Sequence, residues 1–163
     1  MFANGLVNAA KKRGFYSGGP IGGSLLVMAG LATVTDIMPL TGQNRILVTE
    51  SLRRFGRLAP LGLRELHRRT ARSGAMALTV RDFAFLLGPR INAAGRVGDA
   101  NVALQLLESE HIVDAYNCAS QLESFNRIRQ EKEQEIYQEA REQIERHLAW
   151  ISRCALLVAG RDW

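Results

Sequence analysis

From about Val113 to Leu148 the chain carries one continuous helical pattern, and it sets the frame into which everything else must fit. Ala115, Ala119 and Leu122 form one apolar stripe. Ile136, Ala140, Ile144 and Leu148 then return every fourth residue, the spacing that gathers side chains on one face of an α-helix. Glu123–Arg127 and Glu142–Arg146 stand at i,i+4 with the acid first, the favourable order on a helix. Strict heptads are not sustained, so a solvated charged face is preferred to coiled-coil pairing.

The shorter segments also read as mainly α. Phe2 to Phe15 suits a helix with Leu6, Ala9 and Ala10 on its apolar side, and Ser17 to Gly23 reads as a glycine-rich loop. Ser24 can cap a short helix reaching Ala29, whereas Thr33 to Ile37 reads as a strand end or loop ahead of Pro39. Asn44 is the expected cap of a helix ending at Gly56, with Ile46, Leu47, Leu52 and Phe55 facing inward. Leu61 to Ser73 follows. Thr79 precedes Val80 to Leu87, where Asp82 suits the positive end of a helix. Asp99 or Asn101 can cap a helix through Leu107.

A length of 163 residues suits one domain with a real core, and the 47% hydrophobic and 23% charged shares are those of an ordinary globular chain. Cys118 and Cys154 are too few and too isolated for a disulfide framework or a zinc site, and read as two buried thiols in a reducing compartment. No stretch approaches the roughly 18 apolar residues a membrane span needs. Neither a signal peptide nor a membrane partner is expected, which makes the cytoplasm the expected location.

The net charge of +5 conceals a split. Residues 1–96 hold 14 Lys/Arg against 4 Asp/Glu, and residues 97–163 hold 7 against 12. A basic half favours a polyanion, because displaced counterions drive association. The densest basic run is Arg53, Arg54, Arg57, Arg64, Arg68, Arg69 and Arg72, with Arg64, Arg68 and Arg72 on one helical face. No aromatic residue interrupts Arg57 to Arg72, so this helix reads as a solvated basic face rather than a base-stacking track. His67 and His111 read as surface groups, and His147 as a partner for a helix C-terminus.

Two stretches carry chemistry. Leu87-Gly88-Pro89-Arg90-Ile91-Asn92-Ala93-Ala94-Gly95-Arg96 places two forked guanidiniums and an amide among small residues, just where Gly-Pro is expected to stop a helix. By spacing alone it is either an anion site or a corner with two solvated arginines. Ala32-Thr33-Val34-Thr35-Asp36-Ile37-Met38-Pro39-Leu40 ends an apolar segment in a carboxylate, a hard oxygen ligand suited to Mg²⁺ or Mn²⁺. Thr33 and Thr35 could support Asp36 from behind.

Together, these two motifs and Asn44-Arg45 between them resemble the RecJ-type branch of the DHH phosphoesterases, the single-stranded-DNA-specific exonucleases. The resemblance runs through nearly the whole chain. Ala32 stands where glycine is usual and Thr35 where alanine is usual, and a glycine held at positive φ would resist replacement by alanine. The Asp-His-His motif is absent, so the chain is expected to be a central fragment, a truncated product or a split subunit.

The resemblance implies the helical part of an α/β catalytic core over residues 1–109. A long connecting helix over 110–150 and the start of a further domain over 151–163 would follow, with Ala155 to Ala159 as its first strand. It implies Asp36 as one ligand in a site for two divalent cations, Mn²⁺ or Mg²⁺, and Arg90, Asn92 and Arg96 as groups that orient the DNA backbone. The implied activity is hydrolysis of single-stranded DNA from the 5′ end in repair and recombination, with the isolated chain inactive. Two alternatives stand beside it: a non-catalytic helical nucleic-acid-binding or scaffold subunit, and a DHH phosphodiesterase acting on oligonucleotides.

Overall fold

The computed structural model describes residues 12, 23–71, 78–146, 155–161 and 163. All of the expected helix Phe2–Phe15 but Lys12, most of the glycine-rich loop, Arg72, His147 and Cys154 lie outside them. Among the described residues the regular structure is helical: α1 (Gly23–Thr35), α2 (Gly42–Leu58), α3 (Leu61–Thr70), α4 (Val80–Asp82), a π-helical turn (Phe83–Leu87), α5 (Gly88–Val97), α6 (Ala100–Glu108) and α7 (Ile112–Arg146).

Helix α1 does not stop at Ala29. It runs through the segment expected as a strand end, because Val27, Leu31 and Val34 continue the buried stripe and Pro39 lies beyond its end. Helix α2 starts after Thr41 rather than at Asn44, whose amide Nδ2 instead donates to the Pro39 carbonyl at 3.0 Å. It passes through Gly56 and ends where Ala59 N–H bonds back to Phe55, just before Pro60. Thr79 and Asp82 form a reciprocal capping box at the start of α4, and Asp99 caps α6 by accepting from Asn101 N–H.

Gly-Pro does not end the helix at residue 88. A proline inside a helix lacks one donor and its ring collides with the carbonyl four residues back. Here the coil widens just before it: Gly88 N–H bonds to the Phe83 carbonyl, five residues back, and Pro89 enters in the first turn of α5. The stretch read as a turn is therefore a helix from Gly88 to Val97.

Phe83, Leu63, Leu66, Leu87, Leu106 and Leu122 are fully buried and form one core with Val27, Val48 and Phe55. Helix α7 packs on α3, α5 and α6. Its buried residues are Ala115, Cys118, Ala119, Leu122 and Asn126, all in its first half. Of the expected intrahelical pairs, Glu142–Arg146 forms at 3.3 Å, but Glu123 turns inward to Arg69 at 2.8 Å. The expected strand at Ala155 to Ala159 is not formed, since a strand needs a ladder partner and none is present among the described residues. That segment lies along α7, where Gln143 Nε2 donates to the Ala159 carbonyl and Trp163 Nε1 to Glu139.

Candidate metal ligand and nucleic-acid face

Asp36 is the last residue of α1's closing turn. Asp36 N–H bonds to Ala32 O, Ile37 N–H to Val34 O and Met38 N–H to Thr33 O, the crossed pattern that closes a helix through one left-handed residue. That residue is Ile37, at φ 55°. Glycine is the residue this position favours, and a β-branched side chain there is strained. Ala32 lies inside the helix, three residues before its end, so no positive φ is needed where the family's glycine usually stands.

The Asp36 carboxylate is exposed, and it sits at the negative end of the helix dipole. The dipole disfavours an anion there and favours a cation beside it, and exposure leaves the carboxylate open to one. Thr33 and Thr35 do not support it. Their hydroxyls donate to Ala29 O (2.7 Å) and Ala32 O (3.1 Å) within their own helix.

The two motifs meet at Thr35 and Gly88. A Cβ on Gly88 would overlap the Thr35 γ-methyl and press within 2.9 Å of the Phe83 carbonyl, so only glycine permits this approach. Two adjoining clefts open on either side of the contact, and Thr35, Gly88 and Asn92 line both. The first, about 330 Å³, also holds Asp36 with Leu31 and Ile91. The second, about 300 Å³, also holds Pro89, Arg96, Arg129 and Glu133. Asn92 and Arg96 are one helical turn apart on the same face of α5. Arg96 forms no ion pair among the described residues, whereas Arg129 is tied to Glu133 at 2.8 Å and to Asn126 at 3.3 Å. Asp36, Asn92 and Arg96 thus share one surface.

Arg90 does not join them. Two residues from Asn92 is about 200° around a helix, and its guanidinium points into the protein. It donates to the Leu86 carbonyl at 2.8 Å, and its Nε is buried with no hydrogen-bond partner. Burial lowers its pKa below the usual guanidinium value, an effect that Glu123 opposes.

The basic run is largely paired. Arg53 and Arg54 share Glu50, Arg68 forms a two-pronged bond to the buried Glu65 at 2.7 Å, and Arg69 bonds to Glu123 and lies over the Tyr116 ring. His67 is half-buried, its ring edge-on to Phe55 at 5.5 Å, rather than a surface group. Arg129 on this surface, and Phe85, exposed one turn before Pro89, are missed by motif reading. Of these only Phe85 leaves a signal, since its neighbours Phe83 and Leu87 at i,i+4 must face inward.

The chain is 42% identical over 127 residues to the single-stranded-DNA-specific exonuclease RecJ of Dickeya dadantii, a match covering 75% of this chain. It is 39% identical over 140 residues to RecJ of Escherichia coli and 32% over 145 residues to RecJ of Bacillus subtilis, covering 85% and 89% of this chain. Its helices superpose on RecJ of Thermus thermophilus in complex with Mn²⁺ with a TM-score of 0.70, at 31% identity and over 82% of this chain. This chain belongs to the RecJ family. No family model matches it.

It spans 22% of the Dickeya and Escherichia RecJ chains and 18% of the Bacillus one, and corresponds to a helical region of the solved RecJ structures. RecJ from Thermus has been solved with Mn²⁺ and with Mg²⁺, so the family uses a divalent metal. In this chain, the described residues hold no group of three or more His, Cys, Asp or Glu side chains able to bind a metal. Asp36 fits the role of one hard oxygen ligand and no more.

Proposed function

We propose that this chain is part of a metal-dependent exonuclease that hydrolyses single-stranded DNA from the 5′ end, in DNA repair and recombination in the cytoplasm. Its own share is one metal ligand, Asp36, beside a face in which Asn92 and Arg96 hold the DNA backbone. The observation that carries this reading is that Asp36 and Asn92 line one cleft, with Arg96 in the next, although about 55 residues separate the motifs. When bound, a pair of divalent cations supplies an activated water and charge stabilisation at the leaving oxygen. The chain's residues supply position: the closing turn of α1 presents the carboxylate outward, and α5 presents an amide and a guanidinium to phosphate. Arg90 acts through the packing of α5 rather than by direct contact.

The remaining metal ligands come from elsewhere in a RecJ-type protein. Ile37, Met38 and Leu40 support this, for they are exposed apolar side chains just after Asp36 of the kind that further protein covers. A non-catalytic DNA-holding module is the second reading, favoured by the lone carboxylate.

The test is the purified chain with Mn²⁺ on 5′-labelled single-stranded DNA, with Asp36→Ala and Arg96→Ala alongside and binding measured at low and moderate salt. The expected result is salt-sensitive binding without hydrolysis. Arg96→Ala should lower the salt slope by about 0.7, the share of one single-strand phosphate contact. Binding that ignores salt and Arg96 sinks the DNA face. Hydrolysis abolished by Asp36→Ala would show that the chain completes the metal site unaided.

A further inference from the structure

We infer that Phe85, backed by Arg81, is a stacking platform for one base of the single-stranded nucleic acid held by the adjoining α5 face. The inference rests on the DNA-binding reading above and adds to it a contact with the base rather than the backbone.

Phe85 is 66% exposed, although its neighbours Phe83 and Leu87 are wholly buried. An exposed phenyl ring on a surface rich in cations does nothing for the core. The Arg81 guanidinium lies over the ring, 5.4 Å from its centroid, which holds the ring in place and leaves the rest of it open. Arg81 forms no ion pair among the described residues, so its charge remains available to a nearby phosphate.

Both side chains stand on rigid backbone. The capping box of Thr79 and Asp82 fixes the helix start, and the π-helical turn leads without a break into α5. Ala84 and Pro89, which flank Phe85 along the helix, line the cleft that holds Asn92 and Arg96. The proposed path takes a strand whose phosphates meet Arg96 and Asn92 along the Ala84 and Pro89 edge of that cleft toward the phenyl ring. Aromatic side chains next to a cationic groove are how single-strand binders take bases without reading their sequence. The ring accepts any base, since every base has a π-face, and duplex DNA, whose bases are stacked on each other, offers it none.

The test compares a labelled thymidine oligomer with an abasic sugar-phosphate oligomer of equal length, by fluorescence anisotropy at two salt concentrations. Phe85→Ala should weaken thymidine binding about tenfold, within the range of one stacked base. It should leave abasic binding and the salt slope unchanged, and Phe85→Trp should restore thymidine binding. Because Phe85 lies outside the core, each variant should keep the wild-type melting curve. Equal loss on both oligomers, or no loss on either, overturns the platform while leaving the phosphate face standing. Absence of salt-sensitive binding to both oligomers by the wild-type chain removes the DNA reading and the platform with it.

Discussion

Asp36 and Ile37 each occupy a position that helix physics disfavours: a carboxylate at the negative end of a dipole, and a β-branched residue at φ 55°. Neither is offset by core packing, since Ile37 is 90% exposed and the Asp36 carboxylate faces outward. Local rules broken side by side at one exposed turn mark a place kept for function rather than stability. Ile37→Gly should therefore stabilise the chain by about 1 kcal/mol, the cost of the left-handed conformation less glycine's own entropy, as read from denaturant midpoints. A destabilised variant would mean that the Ile37 side chain makes a contact which outweighs the strain. Glu65 shows the opposite case. The two-pronged Arg68 bond holds its carboxyl below the usual 4.5 despite burial. The folded chain then binds fewer protons there than the unfolded one, so this contribution is full above about pH 4.5 and fades as pH falls through the lower folded value. Glu65→Gln should cost about 1 kcal/mol at pH 7, modest because Arg68 is exposed. Its stability should also fall less steeply than the wild type's below pH 4.5, as followed by thermal melts across pH.

Elements set which of the site residues can act together. The crossing of α1 and α5 at Thr35 and Gly88 carries Asp36 to Asn92, and it tolerates no added methyl group. Gly88→Ala should cost about 1–3 kcal/mol through overpacking. It should also weaken any function that needs both motifs. Thr35→Ala removes the γ-methyl and should recover part of that loss in the double variant, though the Phe83 carbonyl still presses on the new methyl. Strict additivity of the two substitutions in thermal melts would show that the contact does not couple the motifs. This crossing also marks the limit of what was legible in the chain. The long helix α7 could be read from its apolar repeat, and Asp36 with Asn92 and Arg96 from the motifs they end or occupy. The passage of helix through Gly88 and Pro89 could not, because those residues signal a stop and a π-helical turn has no composition of its own. That single difference decides Arg90: in an irregular turn residues 90, 92 and 96 can converge, whereas a helix sends residue 90 to the far side.

At the scale of the molecule, the work is divided along α7. Its first half supplies Ala115, Ala119 and Leu122 to the core, all fully buried, and Arg129 and Glu133 about its midpoint reach the second cleft. Beyond Asn126 none of its described residues is buried, and Ile136, Ala140 and Ile144, the expected apolar face, are only half-covered. The charge is divided too: residues 134–163 carry 4 Lys/Arg and 5 Asp/Glu, so they add nothing to the basic excess of residues 1–96. A chain ending at Glu133 keeps every core residue that is buried among the described residues, and every residue lining the two clefts. It should melt cooperatively within about 4 °C of the full chain, equivalent to roughly 1 kcal/mol at this size. Its affinity for single-stranded DNA should stay within about twofold, because the proposed phosphate contacts at Asn92 and Arg96 are retained. Loss of the cooperative transition would instead make the distal half of α7 part of the folding unit. Retained melting with much weaker binding would place a DNA contact on the distal half, beyond the face built by Asn92 and Arg96.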